Sequence, residues 1–253
     1  MTAELASYGQ EALHFQRAPS PVRAISLRMD NRFPNQSMIW DAISGVERAE
    51  AVRHISVSPI PSGIRMHWFS EVPVASPPPS DDPMTGPWET FNASQVLIGI
   101  QIVARRSDAG TTLSVLSFDE LRVHRIAGAL GENFQAARLK MPRLYKELME
   151  VLGNNLESGS GAEHQISFGG LELETPDARI VLEANDEVWS LQDLKEKVDR
   201  IPDKRDKKVN ALYIHVGDSY VTIFDNGEGV YFEDDPSKIL QISDTLGLLF
   251  KKR

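Results

Sequence analysis

The last ninety residues of this chain carry the same arrangement twice, in which alternating strands are followed by a short amphipathic helix. Each helix has apolar residues at the spacing i, i+3, i+7, i+10: Leu191, Leu194, Val198 and Ile201 in the first copy, and Ile239, Ile242, Leu246 and Leu249 in the second. This spacing places each set on one helix face. Because one copy by itself could not bury such a stripe, we expect the two copies to pack together.

The strands between these helices complete the pattern. The predicted order for 163–253 is β-β-α-β-β-β-α, which we interpret as an antiparallel sheet with two helices on one face. Residue identities differ between the copies, so common ancestry and chance similarity both remain open. The pattern predicts architecture and assigns no chemistry.

The first 153 residues predict a mixed α/β domain with antiparallel hairpins and a pair of helices. The predicted elements are a helix at Thr2–Arg17, a strand at Val22–Met29, a helix at Gln36–Arg53, a hairpin over 55–68, and a central strand at Gln95–Arg105 that pairs with Leu113–Leu116. The helical pair spans 118–152. A capping box of Ser117 and Glu120 begins it, Gly131 separates the helices, and Pro142 breaks the second.

Two segments predict loops. Residues 71–88 hold six prolines, which cannot donate backbone hydrogen bonds to a strand or a helix, so this segment is expected to be exposed. Residues 154–162 are rich in glycine and serine and are typical of a flexible linker. The chain is therefore predicted to be an α+β protein of two domains, 1–153 and 163–253.

Composition and the absence of known motifs exclude several kinds of functional site. The chain has no cysteine, which excludes disulfides, thiolate metal sites and cysteine nucleophiles. It also lacks a phosphate-binding glycine loop, a His-Glu-x-x-His motif and paired histidines at helical spacing. We therefore predict no catalytic residue, cofactor or metal site, lean against an enzyme, and expect a cytoplasmic protein without a membrane span.

Charge is distributed unevenly. The chain has a formal net charge of −9, yet 122–146 carries six basic residues against one acidic residue. Residues 157–203 carry the opposite excess, twelve acidic against four basic. A segregated field of this kind can steer a charged partner. The candidate partner-binding residues are Arg122, Arg125, Arg138, Lys140, Arg143 and Lys146.

Three hypotheses follow for function. The first is a non-enzymatic interaction or adaptor subunit of a larger assembly, which contacts an anionic protein, or a second copy of itself, through this basic helical face. The second is a nucleic-acid-binding accessory protein that uses the same face. The third is a metal-dependent hydrolase built on acidic residues of the C-terminal domain, namely Asp225, Glu228, Glu233, Asp234 and Asp235.

Overall fold

Helices and antiparallel strands make up the chain, which is therefore an α+β protein as the sequence predicted. The computed structural model describes residues 21–29, 33–47, 51–72, 89–92, 95–107, 110–156, 166–176, 178–184, 187–201, 207–233 and 235–250. Contacts divide the chain into two compact units, Met1–Arg138 and Leu139–Arg253. The predicted domain boundary at 154–162 stays a prediction, since 157–165 lie outside the described residues, as do the predicted helix Thr2–Arg17 and residues 73–88 of the proline-rich segment.

The first unit contains seven described strands and two described helices. The strands are β1 (Val22–Met29), β2 (Val52–Ile60), β3 (Gly63–Val72), β4 (Glu89–Asn92), β5 (Gln95–Ser107), β6 (Gly110–Ser117) and β7 (Ala137–Arg138). The helices are α1 (Gln36–Ile43) and α2 (Glu120–Phe134). The hairpin over 55–68 and the pairing of the central strand with 113–116 are thereby confirmed.

These strands form an antiparallel sheet in the order β2-β3-β5-β6-β1. The short strand β4 pairs with β5, and β7 pairs with β1. Helices α1 and α2 pack together, and α2 packs on β1 and β6. The core includes Trp68, Ile102 and Ile126, all fully buried, and the ring of Trp40 meets Trp68 edge to face. Alternation within the strands sends one set of side chains into this core and the other to the opposite sheet face.

Helix α1 ends ten residues earlier than the sequence predicted. It stops at Ile43, Ser44 caps it, and β2 begins at Val52. Gly45 favours this end because glycine is a poor helix former. The apolar spacing that extended the prediction reaches Val46, but that residue lies in the turn.

The cap of α2 is also different from the prediction. Asp119 is the N-cap, and its side chain accepts a hydrogen bond from the backbone N–H of Arg122 at 3.0 Å. The predicted cap, Ser117, is the last residue of β6 and donates its hydroxyl to the carbonyl of Gly99 at 2.8 Å. The helix passes Gly131 and continues to Phe134, where Gln135 supplies the left-handed residue.

No helix forms over 135–144, so the prediction of a second helix from Asn133 is wrong. Ala137 and Arg138 pair instead with β1, and α3 begins only at Tyr145, from which it continues to Leu156. Pro142 explains the late start, because its ring disfavours helical backbone in the residue before it. The predicted helical pair over 118–152 is therefore two helices separated by ten residues of strand and coil.

The second unit has the predicted element order after α3. Its elements are β8 (Ile166–Glu174), β9 (Arg179–Glu183), α4 (Leu191–Asp199), β10 (Lys208–Val216), β11 (Ser219–Phe224), β12 (Glu228–Tyr231) and α5 (Pro236–Leu249). All described pairings are antiparallel, in the order β12-β11-β10-β8-β9. Leu194 and Val198 in the first stripe and Ile239, Ile242, Leu246 and Leu249 in the second are buried, as the repeated spacing predicted, while Leu191 and Ile201 are half-buried.

None of the helices in the described ranges has both the length and the apolar composition that a bilayer span requires.

Candidate functional site

The six basic residues predicted to bind a partner do not share a helical face. Arg122 and Arg125 lie on α2 and Lys146 lies on α3. The other three lie between these helices: Arg138 on the two-residue strand β7, and Lys140 and Arg143 in the connecting segment. Their proximity in sequence therefore does not correspond to one regular surface, although whether any of them binds a partner stays a prediction.

Arg122 has a structural role. Its guanidinium lies 3.2 Å from a carboxylate oxygen of Glu47, which is 4% exposed, and 3.2 Å from a carboxylate oxygen of Asp119. Ser70 donates a further hydrogen bond to Glu47 at 2.8 Å. A buried carboxylate needs such partners because its removal from water is costly. The guanidinium of Arg122 is therefore paired with carboxylates within the first unit.

Arg143 also has acidic neighbours. Its guanidinium lies 3.2 Å from the carboxylate of Asp225 and 3.8 Å from that of Glu174, all within the second unit. Arg143 remains more than half exposed, so these pairs are screened by solvent and contribute little stability. The two carboxylates nevertheless offset the positive charge of Arg143, which was predicted to bind a partner.

The remaining predicted positions are more open. Arg125 and Lys140 are exposed and form no ion pair with the described residues. Lys146 is exposed, and the guanidinium of the half-buried Arg138 lies 3.5 Å from the imidazole Nδ1 of His124. Arg125 and Lys140 are therefore exposed positive charges that no described acidic residue pairs with.

Three of the five acidic residues proposed for a metal site serve local structure, and a fourth, Glu228, is buried on β12. Asp225 pairs with Arg143, Glu233 pairs with Lys238 at 3.2 Å, and Asp235 caps α5. Asp234 lies outside the described residues. Within the second unit, no three carboxylate or imidazole groups of the described chain come close enough to share a metal ion.

A different set of cations shares one surface in the first unit. In the register of the sheet, Arg28 on β1 lies opposite Thr112 on β6, and Thr112 lies opposite Arg105 on β5. Arg65 on β3 lies opposite Val103, two residues from Arg105. Directly paired residues project to the same side of an antiparallel sheet, so the three arginines lie on one face. We call Arg28, Arg65 and Arg105 the arginine face.

The arginine face lies on the side of the sheet opposite the core. Core residues Met66 and Ile102 alternate along their strands with Arg65 and Val103, which places the arginines on the other side. Neighbouring strands are about 4.8 Å apart, so Arg28 and Arg105 are separated by about 10 Å at the backbone. All three arginines are half-buried, whereas Val103 is fully buried beside them. This arrangement combines partly desolvated guanidinium groups with backbone positions fixed by a sheet.

Neutral polar residues occupy the positions between the arginines. Thr112 separates Arg28 from Arg105, and the hydroxyls of Ser26 and Ser114 bond to each other at 2.9 Å. In the described part of these strands, the acidic residue on this face is Glu71, which pairs with Arg53 at 2.9 Å near the opposite end of β3. The three arginines are therefore grouped at the other end of these strands.

Sequence reasoning missed this face because it searched for charge along the chain. Arg28, Arg65 and Arg105 are far apart in sequence, and each lies in a segment that reads mainly as apolar. The sequence shows which residues of each strand share a face. It does not show the order and register of the strands, and these bring the three arginines together. Neither a protein-family model nor a curated protein matches this chain.

Proposed function

We propose that this protein is a non-enzymatic interaction subunit that binds an acidic protein segment through the arginine face. One observation carries the proposal: three guanidinium groups, from three strands of one sheet, lie on one side with neutral residues between them. Guanidinium groups bind carboxylates through paired, charge-assisted hydrogen bonds, and partial burial strengthens such bonds. The proposed partner is thus the anionic partner expected from the sequence, but the contact surface is a different one.

Two features favour an acidic protein over a nucleic acid. The whole chain carries a net charge of −9, which repels a long polyanion. On this face, Phe69 is in edge-to-face contact with His67 at 4.9 Å between ring centres. A ring engaged in this way does not offer a free face for a base to stack on. As part of the same proposal, the protein is a two-domain adaptor that acts in the cytoplasm.

The experiment compares two sets of substitutions that remove equal charge. In the first variant, Arg28, Arg65 and Arg105 become glutamine; in the second, Arg125, Lys140 and Lys146 become glutamine. Glutamine keeps hydrogen-bonding capacity and avoids introducing a negative charge beside buried residues. Binding of a hexaglutamate peptide is measured by titration for both variants and for the wild type, and circular dichroism confirms that each variant is folded.

The proposal predicts that the first variant loses affinity for hexaglutamate by about tenfold or more, while the second stays within about twofold of wild type. Equal losses in the two variants would mean that the peptide senses net charge and would overturn the assignment. A larger loss in the second variant would move the site to the residues predicted from sequence. Tighter binding of a uridine oligonucleotide than of the peptide would favour the nucleic-acid alternative.

A further inference from the structure

Aromatic side chains cover part of one sheet face in the second unit. Tyr213 and His215 alternate along β10, Tyr220 on β11 lies opposite His215, and Phe232 follows β12 with its backbone N–H bonded to the carbonyl of Tyr220. Their ring centres are 6.4 Å apart for Tyr213 and Tyr220, 5.1 Å for His215 and Tyr220, and 5.4 Å for Tyr220 and Phe232. We call these four residues the aromatic platform.

Two glycines explain how the rings lie. A methyl group added at Gly169 would meet the His215 ring at 3.1 Å and the Tyr220 ring at 3.3 Å. One added at Gly170 would meet the Tyr213 ring at 2.9 Å. The rings of Tyr213, His215 and Tyr220 therefore lie close to the bare backbone of β8. The planes of Tyr213 and Tyr220 are within 20° of each other, so these two rings are nearly parallel.

The platform is partly exposed to solvent. Phe232 is 47% exposed, and Tyr213, His215 and Tyr220 are half-buried. The face opposite contains Leu171, Leu212, Ile214 and Val221, which are fully buried. This contrast separates the platform from the core and identifies it as a surface.

Two glutamates, Glu172 and Glu183, lie close to Tyr213. Glu183 on β9 lies opposite Gly170, which in turn lies opposite Tyr213, so all three share one row across the sheet. Burial raises the pKa of Tyr213 and of Tyr220 above the usual value; the charge of Glu172 adds to this effect at Tyr213, and the charge of Glu183 adds a smaller one at both rings. Glu183 is exposed and has no ion-pair partner among the described residues. It is therefore a free counter-ion beside two tyrosine rings.

The chain already places one guanidinium at this face. Arg179, also on β9, donates a hydrogen bond to the buried carboxylate of Glu172 at 2.6 Å, and Asn210 donates to the same carboxylate at 3.2 Å. The hydrogen bond and the charge of Glu172 raise the pKa of Arg179. This pair satisfies Glu172 and leaves Glu183 as the acid that lacks such a partner.

We propose that the aromatic platform binds the guanidinium group of an arginine in a partner polypeptide, with the ion held over Tyr213 and Tyr220 and its charge balanced by Glu183. Aromatic faces attract cations, and arginine in particular stacks on such rings. The local charge selects against an anion, since Glu183 is unbalanced and Arg179 is already bound to Glu172. The proposal is independent of the arginine face, because it concerns another unit and a ligand of opposite charge.

The experiment uses the full chain and two pentapeptides, acetyl-Gly-Gly-Arg-Gly-Gly-amide and the same peptide with citrulline in place of arginine. Citrulline has nearly the same shape but no charge. Nuclear magnetic resonance follows the tyrosine ring signals during titration. We expect the arginine peptide to shift the signals of Tyr213 and Tyr220 and the citrulline peptide to bind at least about fivefold more weakly.

Substitutions then test the residues. Glu183→Gln should weaken binding of the arginine peptide by about two- to fivefold, and Tyr220→Leu by a similar factor, while Glu150→Gln, an exposed control on α3, should leave it unchanged. Equal affinity for the two peptides would overturn the proposal, as would undiminished binding by Glu183→Gln. If Tyr220→Leu does not fold, the peptide comparison on wild type and the Glu183→Gln variant still decide the question. Absence of ring shifts at about 20 mM arginine peptide would also overturn it.

Discussion

The guanidinium of Arg122 and the carboxylate of Glu47 form a buried ion pair, with Nη1 and Oε2 3.2 Å apart. The Glu47 side chain is 4% exposed and the Arg122 side chain is 19% exposed. Ser70 donates to the same oxygen of Glu47, so the carboxylate is both paired and hydrogen-bonded. This pair connects α2 to the turn after α1, and it explains why a residue selected as a partner-binding cation is required by the fold.

Removal of Glu47 should therefore be costly. Glu47→Ala leaves Arg122 charged and half-buried without its main partner, and we expect a loss of about 3 kcal/mol in the free energy of unfolding. Urea denaturation measures it. Arg125→Ala, on the exposed side of the same helix, is the matched control and should change stability by less than about 0.5 kcal/mol. Equal effects would show that the Glu47 pair is not structural.

Gly170 should tolerate a side chain much less well than Gly217. Gly170 has a φ of +153°, and an added methyl group would overlap the carbonyl oxygen of Leu182. Gly217 has a φ of +60° with open space around it. We expect Gly217→Ala to cost about 1 kcal/mol, from backbone strain, and Gly170→Ala at least about 3 kcal/mol. Thermal melts of the two variants measure the two losses. Because of the close contact at Gly170, Gly170→Ala must be the less stable variant.

Because Asp193 belongs to the capping box of α4, its protonation should lower the stability of the protein in acid. Hydrogen bonds from the hydroxyl and the backbone N–H of Ser190 lower the pKa of Asp193 below its usual value. Stabilisation by the carboxylate is therefore present above its unfolded-state pKa and is lost as the pH falls through the lowered value. In Ser190→Ala, the pKa of Asp193 measured by carboxyl resonance titration should rise. The same substitution should lower stability at neutral pH by about 1 kcal/mol. An unchanged pKa of Asp193 would contradict this account.

Tyr231 should make the protein sensitive to alkali. Burial raises the pKa of Tyr231 from 10.0 to about 12. The folded state holds the phenolic proton more tightly, so stability is constant below pH 10 and declines as the pH rises toward 12. Tyr231→Phe should flatten this decline, as measured by urea unfolding at pH 8, 10 and 11. A decline of the same slope in the variant would assign the alkaline sensitivity to other groups.

Local patterns predicted much of the fold. The strand Val22–Met29 and the buried residues of α5 follow directly from alternation and helical spacing, and the pairing of β5 with β6 follows from the short turn between them. These features depend on residues close together in the chain. The capping box of Ser190 and Asp193 is local in the same sense, since its two residues are three positions apart.

The misassigned elements depended on competing local signals or on distant contacts. Ser117 has the residue type of a cap, but its hydroxyl bonds to Gly99 on the neighbouring strand, and the adjacent Asp119 is the cap. Ala137 and Arg138 leave the helix because β1 offers a pairing edge. The arginine face depends on register across four strands, which no local pattern encodes. Charge counted along the chain therefore could not identify the arginine face.

The most direct test of the account is the salt dependence of hexaglutamate binding by the wild type and by the variant in which Arg28, Arg65 and Arg105 are glutamine. Binding through these guanidinium groups predicts that wild-type affinity falls steeply between roughly 50 and 200 mM salt and that the variant shows weak binding with a much flatter dependence. The same steep dependence in both proteins would contradict the arginine face as the contact surface.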